Sequence, residues 1–130
     1  MKSVETAVRV RYAETDQMGV VYYANYLVWM EVGRVELCRQ CGFNYREMEQ
    51  RDGILLAVAE ATCRYASPAR YDDEVVVRAW LEESHSRMIT FHYRMRVGER
   101  VVATGHTRHI FLNRDLRPTR LPEKYLALFR

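Results

Sequence analysis

The chain has few of the features that would take it out of an ordinary globular class. It has no apolar run long enough to span a bilayer. The opening MKSVETAVRV lacks a continuous apolar region, so no signal peptide is visible and a cytoplasmic protein is expected. Internal repeats, low-complexity tracts and linkers are also missing, and 130 residues with 48% apolar content suit one domain spanning the whole chain, 1–130. Cysteine is scarce, and three cannot all pair within one chain. Cys38 and Cys41 form a C-x-x-C, but no second pair completes a zinc site. Both fall on one apolar helix arc, near a helix C-terminus that disfavours thiolates. They read as buried core, and Cys63 reads as strand core. No metal or redox cofactor is expected. Charge of one sign is not concentrated anywhere. The net charge is +3, with arginine spread along the sequence. No basic helix, zinc spacing or aromatic platform points to nucleic acid. The mild positive balance suits an anionic small molecule without demanding one.

What is present is organised around residues 12–42, YAETDQMGVVYYANYLVWMEVGRVELCRQCG. A polar loop ends in an acid and a glycine, passes through an apolar pair and two tyrosines, and enters a long helix. The expected helix runs from Ala24 to Cys41. On a helical wheel one apolar arc holds Leu37, Met30, Cys41, Leu27 and Cys38, with Tyr26 at its edge. A second arc holds Ala24, Val35, Val28 and Val32, so the helix is expected to be buried on most sides. Gly33 lowers helix stability by about 1 kcal/mol relative to alanine, a cost offset by close approach to a sheet. Gly42 is placed to stop the helix.

The start of this helix is weakly capped. Val20, Val21, Tyr22 and Tyr23 include no good N-cap residue, although Asn25 can cap a helix that begins late. Open N–H groups there sit at the positive end of the helix dipole. They can hold a ligand carbonyl or a developing oxyanion, or simply be filled by water or another loop. Asp16 just upstream has two readings as well: a catalytic carboxylate, or a loop acid that closes its own turn.

The remainder reads as strands. Val4 to Tyr12 alternates as a half-buried strand. Asn44 to Gln50 forms a short helix with Asn44 as cap, and Asp52-Gly53 turns. Ile54 to Tyr65 is a strand with Leu55, Ala57, Ala59, Ala61, Cys63 and Tyr65 on one face and Glu60, Thr62 and Arg64 on the other. Ser67 to Asp73 connects to a third strand, Glu74 to Glu82. Met88 to Val97 alternates most cleanly, Gly98-Glu99 marks a hairpin, and Val101 to Leu112 is the fifth strand. A short terminal helix is expected over Pro122 to Arg130. The class is α+β, with a mainly antiparallel sheet of about five strands curled round one long helix.

The stretch from Arg11 to Tyr26, with Ser67-Pro68-Ala69-Arg70 and Arg117-Pro118, resembles the hotdog-fold acyl-CoA thioesterases of the 4-hydroxybenzoyl-CoA thioesterase family, and the layout agrees over nearly the whole chain. The resemblance implies a hotdog fold. It matches Asp16 to the catalytic carboxylate, as nucleophile or general base, and Tyr23 to the residue whose backbone N–H polarises the thioester carbonyl. Gly19 matches the glycine that lets the loop pass the ligand. Val21, Tyr22, Ala24, Asn25 and Tyr26 belong to the same substrate-binding stretch. Many relatives carry histidine where this chain has Tyr23, a departure that bears on substrate preference. The family's enzymes are homodimers or homotetramers with sites between protomers. An acyl-CoA substrate is implied, with its phosphates near basic side chains such as Arg87, Arg108, Arg117 or Arg120, and coenzyme A enters as part of that substrate. Glu60 is taken as a site-lining acid and Glu31 as a minor alternative catalyst, or the i, i+3 partner of Arg34. His85, His92, His106 and His109 read as strand or turn histidines with satisfied rings. With none near the helix start, a dehydratase is disfavoured. The expected activity is acyl-CoA hydrolysis; the alternative is a non-catalytic acyl-CoA or acyl-carrier-protein binding domain.

Overall fold

The computed structural model describes residues 2–42 and 44–129. Five long strands and one long helix carry the chain: β1 (Ser3–Arg9), α1 (Asn25–Gln40), β2 (Leu55–Tyr65), β3 (Glu74–His85), β4 (Met88–Val97) and β5 (Arg100–Leu112). A two-residue strand β6 (Pro118–Thr119) is added on β5, and a short helix α2 (Tyr45–Glu47) follows α1. Strand order is β1-β3-β4-β5-β2, and every pair is antiparallel. This is the expected α+β class with an antiparallel sheet. The terminal helix shrinks to one turn, α3 (Glu123–Leu126), and a 3-10 turn at Ala127–Phe129; Arg130 lies outside the described residues.

Sixteen residues make α1 about 24 Å long. Its inward face carries Tyr26, Trp29, Met30, Gly33, Leu37 and Cys38, all buried. Opposite them the period-two alternation of the strands delivers Val75, Val77 and Ala79 from β3 and Phe91, Tyr93 and Met95 from β4, all at most 1% exposed. Fully burying one such side chain is worth about 1.5–3 kcal/mol. Gly33 allows the close contact: a Cβ built there would meet Val77 Cγ1 at 3.0 Å and Ala79 Cβ at 3.3 Å. Gly42, at φ +99°, ends the helix as expected. Cys38 and Cys41 are buried, and burial pushes the Cys38 thiol up to about 12, so it remains a neutral core group.

Three expectations about faces and ends are corrected. The sheet covers only one side of α1, so its second apolar arc is not buried: Val28 is 55% exposed, and Ala24, Val32 and Val35 are partly so. The single inward face of β2 is broken by a bulge at Ala59. Before it, Leu56 and Val58 oppose the buried Phe111 and His109; after it, Ala61, Cys63 and Tyr65 share that inner side. An inserted residue shifts a period-two pattern by one, which swaps the faces upstream of it. β1 stops at Arg9, and Tyr12 leaves the sheet to stack on Tyr71 at 3.8 Å between ring centroids.

Under the helix lies a buried polar chain. The Tyr93 hydroxyl and His109 Nε2 both meet Thr107 Oγ1, at 2.6 and 2.7 Å. His109 is fully buried beside Phe91, and burial first, then the Arg34 charge, lowers its pKa from 6.5 to about 3. The folded state therefore resists a proton that the unfolded chain accepts. The stability this gives is complete above 6.5 and is lost progressively as pH falls towards about 3. A His109→Gln variant, which does not titrate, is expected to show a shallower drop in urea midpoint across that window. Parallel drops for the two proteins would refute it.

Candidate active site at the head of α1

The loop between β1 and α1 is held by its own backbone. Asp16 N–H donates to Val20 O at 2.9 Å, and Gly19 N–H donates back to Asp16 O at 2.9 Å. Gly19 sits at φ +77°, the left-handed region that favours glycine. Asp16 Oδ1 accepts the Met18 N–H at 2.9 Å. One carboxylate oxygen thus closes the turn, and the other is left without a protein partner among the described residues. The two sequence readings of Asp16 are compatible, one per oxygen.

Downstream, Val21 is buried and its N–H donates to Ala69 O at 2.8 Å, pinning the apolar pair under the connection before β3. Tyr22 N–H donates to Glu14 O at 2.8 Å. Helix α1 then begins with Ala24 as N-cap and no side-chain cap. Asn25 does not cap it. It is the first helical residue, and its Nδ2 donates to Glu14 O at 2.9 Å. The N–H groups of Asn25, Tyr26 and Leu27 turn back to the carbonyls of Tyr22, Tyr23 and Ala24. That leaves the N–H groups of Tyr23 and Ala24 with no hydrogen-bond partner among the described residues.

Asp16 and Tyr23 border one cleft of about 340 Å³, with Val21, Tyr26, Tyr65 and Pro68 among its walls. Tyr65, at the end of β2, donates its hydroxyl to Tyr23 O at 3.1 Å. Burial first, then Cys63 and the neighbouring Tyr23 and Tyr26, push that hydroxyl up to about 12, so it stays a donor. The rings of Tyr23 and Tyr26 meet Tyr65 at 6.2 and 5.4 Å between centroids, and Tyr22 leans on Tyr23 at 4.8 Å.

Within one chain, two expected site residues lie away from this cleft. Glu60 lies on the face of the sheet away from α1, where its Oε1 meets His106 Nε2 at 2.9 Å, with Thr62 on the other ring nitrogen at 2.9 Å. Arg87 sits in the β3–β4 turn at the far end of the sheet. Tyr65 pairs with Ala103 and Met88 with Ile110, seven residues further along β5, or about 24 Å. Glu31 is an exposed helix residue whose carboxylate lies 4.0 Å from the guanidinium of the buried Arg34, the i, i+3 pair expected of it.

Sequence reasoning missed Tyr65 as a cleft residue and Glu14 altogether. Glu14 is only 7% exposed. Its carboxylate accepts Arg11 N–H at 2.8 Å and Trp29 Nε1–H at 3.1 Å. Burial pushes its pKa up, but the bonds from Arg11 and Trp29 and the Arg11 charge outweigh this and hold it below the ordinary carboxylate value. The one signal available was an acid two residues before Asp16, on a loop that must pack under an aromatic-rich helix.

An antiparallel sheet laid on one long helix, with an acid-bearing loop and a cleft at the helix's amino end, is the hotdog architecture. The chain belongs to the thioesterase-like superfamily, whose family model matches residues 10–129. YneP of Bacillus subtilis, provisionally named an acyl-CoA thioesterase, is 46% identical over 86 residues. That match spans 66% of this chain and 62% of YneP. Among solved structures, a hypothetical protein of Thermus thermophilus superposes with a TM-score of 0.93 at 37% identity, covering 98% of this chain and 95% of that one. A mutant of 4-hydroxybenzoyl-CoA thioesterase complexed with 4-hydroxybenzoyl-CoA superposes with a TM-score of 0.91 over 100% of both chains, and at 19% identity it shares the fold.

Proposed function

We propose that this protein hydrolyses the thioester of an acyl-coenzyme A to the free acid and CoA. The observation that carries the reading is the pair of unpartnered N–H groups, on Tyr23 and Ala24, at a helix head beside the cleft that Asp16 enters. A thioester carbonyl seated there receives N–H donors and the positive end of the α1 dipole, both aimed at the oxygen that becomes an oxyanion. The free Asp16 oxygen serves either as the nucleophile on the acyl carbon, giving a mixed anhydride that water opens, or as the base that deprotonates the attacking water. In both routes negative charge moves onto the carbonyl oxygen and then onto the departing thiolate. Tyr65, bonded to Tyr23 O, keeps in place the peptide that carries the Ala24 N–H.

The cleft is also proposed to be completed by a second copy. β2 pairs only with β5, and no strand covers its other edge among the described residues. A copy adding antiparallel along that edge would bring the opposite end of its sheet, and with it the partner's Arg87, towards this chain's Tyr65 and Tyr23. That supplies a further cation for the CoA phosphates, beside the chain's own Arg100, which donates to Ser67 and Pro68 of the cleft wall.

A panel of aromatic and aliphatic acyl-CoAs, read with a thiol-trapping dye, tests the activity. Release of CoA is expected from at least one member. Saturable binding with no thiol release would instead make the domain a non-catalytic acyl-CoA binder. For the second copy, the Arg87→Ala variant is expected to raise KM for acyl-CoA about 10-fold, while kcat holds. An unchanged KM would remove Arg87 from the site.

A further inference from the structure

Glu14 accepts four hydrogen bonds, and they join three pieces of the chain. One carboxylate oxygen takes the Arg11 N–H where β1 ends, and the other takes the Trp29 indole in the second turn of α1. Its backbone carbonyl takes Tyr22 N–H and Asn25 Nδ2 at the helix head. Asn25 and Trp29 are four residues apart and share a helix face. That face is therefore tied to Glu14 at two heights, by main chain and by side chain. Two residues further on stands Asp16.

A buried acid is a costly way to achieve stability alone, because its desolvation offsets much of what its bonds return. What a carboxylate offers here is two acceptor oxygens and no donor, matched to one main-chain and one indole N–H. With a donor on each oxygen and the group at 7% exposure, Glu14 is held away from the cleft, which it does not line, and is not placed to act as a base there. We propose that Glu14 is a positioning residue: its carboxylate locks the Asp16 loop to helix α1 and thereby sets the spacing between the Asp16 carboxylate and the free N–H groups of Tyr23 and Ala24. This rests on the hydrolase reading above. Its rate consequence follows from geometry, since a misplacement of about 1 Å between reacting groups costs on the order of 10²-fold.

Two variants test it. Glu14→Gln keeps the shape but presents an NH₂ to one of the two donors. Trp29→Phe keeps a buried ring and deletes only the indole N–H, so it serves if the first variant folds poorly. Each is expected to lower kcat about 10- to 100-fold with KM within about threefold, measured well below its melting temperature. In a Glu14→Ala, Trp29→Phe double variant the losses should not add, because each change alone already removes the Glu14–Trp29 bond. A role confined to stability would lower Tm and leave kcat of the folded enzyme unchanged, and that result overturns the proposal. Additive losses would likewise show that Glu14 does not act through Trp29. Failure of the wild-type chain to release thiol from any acyl-CoA refutes the hydrolase reading itself; wild-type turnover with unaltered kcat in both variants refutes only the positioning role.

Discussion

Asp16→Asn is expected to lower thioester turnover about 10²–10⁴-fold, the scale of a lost acid–base or nucleophilic group, while the protein stays folded. The substitution is informative because of how the two carboxylate oxygens divide their work. Asn keeps an Oδ1 that can still accept the Met18 N–H, so the turn Asp16–Gly19 survives. It removes the charge and the second oxygen, the one available to the acyl carbon or to water. A structural acid would tolerate the exchange with activity intact, and that outcome would sink the catalytic assignment. Asp16→Ala makes the comparison complete: it deletes the turn bond as well, so it should add a loss of thermal stability that Asp16→Asn lacks. Kinetics with a thiol-trapping dye and a melting curve on both variants separate the chemistry from the fold.

The parts of this molecule that were legible in the sequence are those encoded by local periodicity. β4 alternates without interruption from Met88 to Val97, and its inward residues Ile89, Phe91, Tyr93 and Met95 are all buried. The glycine at position 33 marked a close approach, and Val77 and Ala79 are what it approaches. The uncapped helix head was legible too, because a missing cap residue is a local fact. What failed depended on something distant. The bulge at Ala59 exchanged the faces of β2 upstream of it, and only the register with β5 reveals that. Val28 and its neighbours looked like core because they are apolar, but the sheet has one inner face and α1 can offer it only one side. The places of Glu60 and Arg87 also depend on register: within one chain it sends the first to the outer face of the sheet and the second to the end far from this cleft. Glu14 and Tyr65 were missed because their partners, Trp29 and Tyr23, are 15 and 42 residues away.

Gly105, unremarkable in sequence, is where distant constraints meet, and its substitution is expected to have the largest effect on stability. A Cβ built there would lie 2.2 Å from Thr62 O and 2.5 Å from Met30 Cε. The methionine tip can move, but the Thr62 carbonyl belongs to β2, whose neighbour Cys63 stands opposite Gly105 in the ladder. Overpacking a core usually costs about 1–3 kcal/mol, and a clash with main chain places Gly105→Ala at about the top of that range, a large share of the roughly 5–15 kcal/mol that keeps a domain folded. Gly33→Ala provides the contrast. Its new methyl meets only side-chain atoms, at 3.0 and 3.3 Å, and the change also recovers about 1 kcal/mol of helix propensity, so the net change should be small. Activity should follow the same division. β2 ends in Tyr65, which holds Tyr23 O at the cleft, so pushing β2 away from β5 disturbs the helix head that Gly33→Ala leaves alone. Trimming the methionine should not relieve the clash: Gly105→Ala should still destabilise a Met30→Ala background, because the contact with Thr62 O remains. Urea midpoints for both single variants and the double variant decide it: a double variant as stable as Met30→Ala alone would mean that Met30, and not the β2 main chain, sets the limit at this position.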